Sequence, residues 1–157
     1  MTLRVVISLA SGLALGFLLG CQGTDDAPAG DPARYESARI ACVDKINAFR
    51  ATEGLKPLER WTEQEVCADG QARSDAGSGD AHGAFGKCGE WAQDECPGWR
   101  SVQSTVDGCL QSMWDERLDA SGEQGHYKNM SSTKSTKVAC GFYETSSGKV
   151  WALQNFR

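Results

Sequence analysis

The chain has only two histidines, His82 and His126, and with carboxylates beside them they are the side chains that could do chemistry. Brought together, neutral imidazole nitrogens and carboxylate oxygens make a first shell for zinc or another divalent cation, with His82 and His126 as the nitrogen ligands. Such a site would lose affinity as pH falls through about 6.5, where imidazole protonates. Two imidazoles and two carboxylates can also form a metal-free arrangement, each carboxylate holding one histidine in a fixed tautomer. A hydrolase would need a nucleophile or an activated water. Ser131, Ser132 and Thr133 follow His126, but nothing in the sequence ties them to an imidazole, and no G-x-S-x-G elbow occurs.

The elements that must position these groups follow from periodicity. Tyr35, Ala38, Cys42, Ile46 and Phe49 recur at threes and fours, the stripe of an amphipathic helix that Gly54 ends. Thr62 with Glu65 reads as a capping box, and Trp61 with Val66 as a hydrophobic staple, for a second helix that Gly77 stops. The passage from Ser78 to Trp99 is Gly-rich and reads as a long ordered loop holding His82 and Glu90. A third helix is marked by Val102, Val106, Cys109, Leu110, Met113 and Arg117, with Glu116 near its C-terminal end. Val138–Thr145 and Lys149–Phe156, joined by Ser146-Ser147-Gly148, read as an antiparallel hairpin with apolar residues on both faces. A sheet apolar on both faces needs helices on both.

Composition narrows the function classes. The net charge is −5, which excludes a general nucleic-acid-binding surface. The negative charge lies mainly between Glu59 and His126, while Tyr127 to Arg157 is basic. Cys42, Cys67, Cys88, Cys96, Cys109 and Cys140 form an even set, which in an exported chain implies three disulfides. Pairing of sequence neighbours is expected: Cys42 with Cys67, Cys88 with Cys96, Cys109 with Cys140. The absence of any C-x-x-C pair argues against a cysteine metal cluster.

At the N-terminus Arg4 precedes the apolar run Val5–Leu19, too short for a spanning helix, which ends in Leu18-Leu19-Gly20-Cys21. This resembles the lipobox of bacterial lipoproteins, implying a signal peptide over residues 1–20 and acylation of Cys21. Each buried methylene of the acyl chains adds about 0.8 kcal/mol, enough for several chains to hold the protein on a membrane. By the same resemblance, Gln22 after the cysteine points to the outer membrane. Residues 21–34, poor in large apolar side chains, read as a flexible tether before a domain at 35–157.

That domain resembles the CAP superfamily, also called SCP or pathogenesis-related domains of secreted proteins. Ile46-Asn47-x-x-Arg50 and Gly54-Leu55-x-Pro57-Leu58 match its L-N-x-x-R and G-L-x-P-L opening. His82 and Gly89-Glu90 are similar to its first His and its G-E-N, with Trp91 in place of Asn. Met113-Trp114-Asp115-Glu116 resembles W-Y-x-E, Gly125-His126-Tyr127-x-Asn129 resembles G-H-Y-T-Q, and Val138-Ala139-Cys140-Gly141 resembles V-G-C-G. The resemblance implies an α+β fold, an α–β–α sandwich with a small antiparallel sheet. It also places His82, Glu90, Glu116 and His126 in one cavity. Most members of the family act as binding modules, some for sterols or other lipids. The expected function is therefore a lipid-anchored, non-enzymatic module taking a small ligand, lipid or divalent cation, with a protease-like hydrolase as the alternative.

Overall fold

A computed structural model describes residues 33–157. The leader, Cys21 and most of the expected tether lie outside the described residues. Within them, no helix is long and apolar enough to cross a membrane.

The first stripe forms helix α1, Glu36–Thr52, and all five of its marker residues are buried. The chain then reaches a two-residue strand, β1 (Glu59–Arg60). Asn47 clamps this connection, its Nδ2 donating to the Leu58 carbonyl (3.0 Å) and its Oδ1 accepting from the Leu58 amide (2.7 Å). Helix α2 covers Glu65–Ser78, after a 3-10 turn at Thr62–Gln64. The expected capping box and staple do not form there. Glu65 is instead buried against Arg39 and Arg60, and Val66 faces solvent. The helix also runs one residue beyond Gly77 and is capped by left-handed Gly79.

The passage read as one long loop ends in a strand, β2 (Ala92–Trp99). Asp94, Glu95 and Pro97 hide it in the sequence. An outer strand tolerates the proline, and the register shifts between Cys96 and Trp99. A continuous helical rod follows: α3 (Val102–Ser104), a π-helical stretch at Thr105–Cys109, α4 (Leu110–Asp115), and a 3-10 turn at Glu116–Leu118. The short helix α5 (Gly125–Met130) carries His126. Strands β3 (Lys137–Glu144) and β4 (Val150–Phe156) are the expected hairpin.

The four strands are ordered β1-β3-β4-β2, with β1 parallel to β3 and the other pairs antiparallel. Alternate residues of β3 identify the layers. Cys140 is bonded to Cys42 of α1, whereas Gly141 faces Ala68 of α2, so α1 and α2 cover opposite faces. A Cβ on Gly141 would lie 2.3 Å from the Ala68 carbonyl carbon, which requires glycine there. The main apolar core lies on the α1 side, where Phe49 stacks on Trp114 at 5.2 Å.

All three disulfides exist, but none of the expected pairings does. The bonds are Cys42–Cys140, Cys67–Cys88 and Cys96–Cys109. Cys42 and Cys67 lie on helices covering opposite faces, so they cannot meet. Cys67 holds the loop after α2 through Cys88, and Cys96 faces the rod that carries Cys109.

Candidate functional site

Strand β2 is one of the two outer strands, and that position makes the site. Its alternate side chains belong to different layers. Gln93 and Glu95 point to the α2 side, where they meet Asn155 and His82. Asp94 and Cys96 point to the other side, where they meet Asn129 and Cys109. Groups from both layers therefore converge across this edge on a groove of about 440 Å³, lined by His82, Gln93, Glu116, His126 and Asn129 together with the loop before α5.

His126 is positioned by Glu116. Oε1 lies 2.5 Å from His126 Nδ1, while Oε2 accepts the amides of His126 (3.0 Å) and Tyr127 (3.3 Å). One carboxylate thus satisfies the first turn of α5 and also fixes the imidazole, with Nδ1 as donor and Nε2 left as acceptor. Helix α5 is held in turn by buried Met130 and by Tyr127, edge-on to Trp114 at 5.1 Å.

His82 is positioned through a longer chain. Its backbone is left-handed (φ 63°), a conformation unusual for a non-glycine residue, and its amide donates to Glu95 Oε2. Its Nδ1 lies 2.9 Å from Gln93 Oε1. Gln93 Nε2 donates to Asn155 Oδ1 (2.9 Å), and Asn155 Nδ2 donates to Gln71 Oε1 (2.6 Å). Gln71 Nε2 donates to Glu90 Oε1 (2.5 Å) and to the Ala84 carbonyl (2.8 Å). An ionised carboxylate only accepts, so Glu90 sets the polarity of every amide in the series. Gln93 must then offer oxygen to His82, whose Nδ1 carries the proton.

Glu90 itself does not line the groove. It is buried, and its oxygens take the amides of Gly86 (2.6 Å) and Cys88 (2.9 Å) as well as Gln71. Of the four residues expected in one cavity, His82, Glu116 and His126 share it, and Glu90 stands behind it. Gln93 and Asn129 complete the lining. Asn129 belongs to the G-H-Y-x-N stretch, whereas Gln93 sits in the strand the sequence concealed. Gln71 had one visible signal, a polar residue beside Ala68, Ala72 and Asp75 on the sheet-facing stripe of α2.

Two further carboxyls meet near His82. Burial raises Glu95 from 4.5 to about 7, with the His82 amide opposing and nearby Asp75 reinforcing the shift. Asp75 is raised by the same cause. On the other side of the strand, complete burial holds Asp94 well above the usual carboxylate range.

The expected zinc site does not fit these side chains. Among the described residues no group of three or more His, Cys, Asp or Glu is placed to hold a metal. Glu90, the fourth member of the expected set, is turned onto the backbone amides of Gly86 and Cys88 and away from the groove.

Comparison with known proteins agrees with the architecture. The family model for the cysteine-rich secretory protein family, CAP, matches residues 43–156. A sequence search among curated proteins finds no match. Among solved structures, the chain resembles Schistosoma mansoni venom allergen-like protein 4 with a TM-score of 0.57 at 12% identity, covering 76% of this chain and 86% of that one. It resembles Na-ASP-1 with a TM-score of 0.58 at 13% identity, covering 76% of this chain but only 38% of that one. At such identities the likeness is one of fold. The match to the family model spans most of the chain, which belongs to the cysteine-rich secretory protein (CAP) family.

Proposed function

We propose that this CAP domain is a lipid-anchored, extracytoplasmic binding module whose groove takes a small ligand rich in hydrogen-bond donors or bearing positive charge. The observation that carries this reading is the pair of fixed imidazoles. Both have Nδ1 committed, to Gln93 and to Glu116, so each presents Nε2 as an acceptor. Glu116, Asp119 and Glu123 add negative charge to the lining, which holds no Lys or Arg. Small ammonium compounds, polyols and lipid headgroups carrying an amine satisfy that chemistry.

The anchor rests on the lipobox-like Leu18-Leu19-Gly20-Cys21, and three disulfides support an oxidising compartment. Gln22 supports the outer membrane as its destination. A non-enzymatic role is supported by the lining itself, which contains no Ser, Thr or Cys to serve as a nucleophile.

The experiment is a titration of the full chain with choline, ethanolamine and glycerol, followed through the imidazole resonances of His82 and His126. Saturable shifts that disappear in His126→Phe support the reading. Unmoved resonances would remove it. Turnover of a peptide or ester panel that Glu116→Gln abolishes would replace it with hydrolysis by an activated water.

A further inference from the structure

A second cavity, of about 480 Å³, lies between the end of α1 and the segment after α5 and shares no lining residue with the groove. Its floor is Arg50 of α1, only 2% exposed. Nε of Arg50 donates to the Lys56 carbonyl (2.8 Å), and Nη1 donates to the carbonyls of Met130 (2.6 Å) and Ser132 (3.0 Å). Among the described residues Nη2 meets no acceptor, and no carboxylate pairs with the guanidinium. Burial accordingly pulls its pKa below the ordinary arginine value, with no anion opposing that shift. A buried cation is ordinarily paired, because carbonyl dipoles alone recover only part of its hydration.

The walls hold no carboxylate for this cation and add further hydrogen-bond donors instead. Lys56 brings a second positive charge, and Thr133, Ser135 and Thr136 bring hydroxyls. Ser135 is buried, and its Oγ accepts from Trp91 Nε1 (3.3 Å), leaving its proton free to donate. Leu55 and Pro57 give the cavity an apolar flank.

We propose that this cavity binds a phosphate ester, its oxyanion on Arg50 Nη2 and Lys56 and its body against Leu55 and Pro57. Guanidinium, ammonium and hydroxyl donors together match a tetrahedral oxyanion. The volume exceeds what a bare phosphate fills, which leaves room for the esterified group. A soluble phosphomonoester and a phospholipid headgroup share this chemistry.

The test uses the full chain, titrated separately with inorganic phosphate, glycerol 3-phosphate and short-chain phosphatidic acid, with chloride as comparator. The readouts are the Arg50 Nε–H resonance and the melting temperature. Saturable shifts with the phosphates and none with chloride are expected. Lys56→Ala, on the exposed wall, should leave the ligand-free melting temperature unchanged and weaken binding at least about tenfold. That variant keeps the test valid if Arg50→Ala does not fold. Phosphatidic acid binding about tenfold tighter than glycerol 3-phosphate assigns the cavity to a headgroup, and equal binding assigns it to soluble esters. No response to any phosphate up to about 10 mM, or a response that Lys56→Ala leaves intact, overturns the proposal.

Discussion

Glu90 and His82 do not touch, yet the carboxylate of one sets which nitrogen of the other carries the proton. The connection runs through the side-chain amides of Gln71, Asn155 and Gln93, whose polarity follows from an acceptor that cannot donate. Glu90→Gln breaks that rule by placing an amide donor among the N–H groups of Gly86, Cys88 and Gln71. The variant should lose about 2 kcal/mol in urea denaturation, and the proton of His82 should become distributed over both ring nitrogens.

Glu95 makes stability depend on pH. Its folded-state pKa, about 7, lies above the ordinary 4.5, so the folded chain binds the proton more tightly than the unfolded chain does. The associated stabilisation is complete below about pH 4.5 and is lost as pH rises through about 7. Glu95→Gln, which cannot ionise, should therefore gain on the parent chain by on the order of 2 kcal/mol between about pH 4.5 and 8. Denaturation at several pH values checks this, and a constant difference between the two proteins would contradict it.

The disulfides should contribute according to the loops they close. Cys42–Cys140 spans 98 residues and Cys96–Cys109 spans 13. Chain entropy alone gives about 4.7 kcal/mol for the long loop and about 3 kcal/mol for the short one. Paired Cys→Ser variants, compared by chemical denaturation, should show the larger loss for the bond joining α1 to β3.

Close packing of α2 on the sheet makes Gly141 sensitive. In Gly141→Ala the new methyl meets the Ala68 carbonyl carbon at 2.3 Å and its Cβ at 2.5 Å, so backbone must move. A loss of about 3 kcal/mol is expected, measurable by denaturation, with faster hydrogen exchange in α2 and β3.

What could be read from the sequence follows from how local each signal is. The α1 stripe and the β3–β4 hairpin are patterns within one segment, and both form as written. Strand β2 was hidden because its buried residues include Gln93, Asp94 and Glu95, whose burial depends on partners distant in the chain. The disulfides failed for the same reason. Nearness in sequence suggested Cys42 with Cys67, but the sandwich puts their helices on opposite faces. Likewise Thr62 and Glu65 have the residue types of a cap, and Arg60 took the carboxylate instead with two hydrogen bonds. His82, Glu116 and His126 were visible as types in order. The burial of Glu90 was not, since it depends on amides from the loop that Cys67–Cys88 holds.

The central claim is that both imidazoles stand in one groove with Nδ1 protonated and Nε2 free to accept. Nitrogen-15 NMR of the side chains at a pH where both rings are neutral tests it directly. The account predicts that His82 and His126 are both Nδ1–H tautomers, and that Glu116→Gln changes His126 while leaving His82 as it was. Nε2–H tautomers at both rings, with no response of His126 to Glu116→Gln, would contradict it.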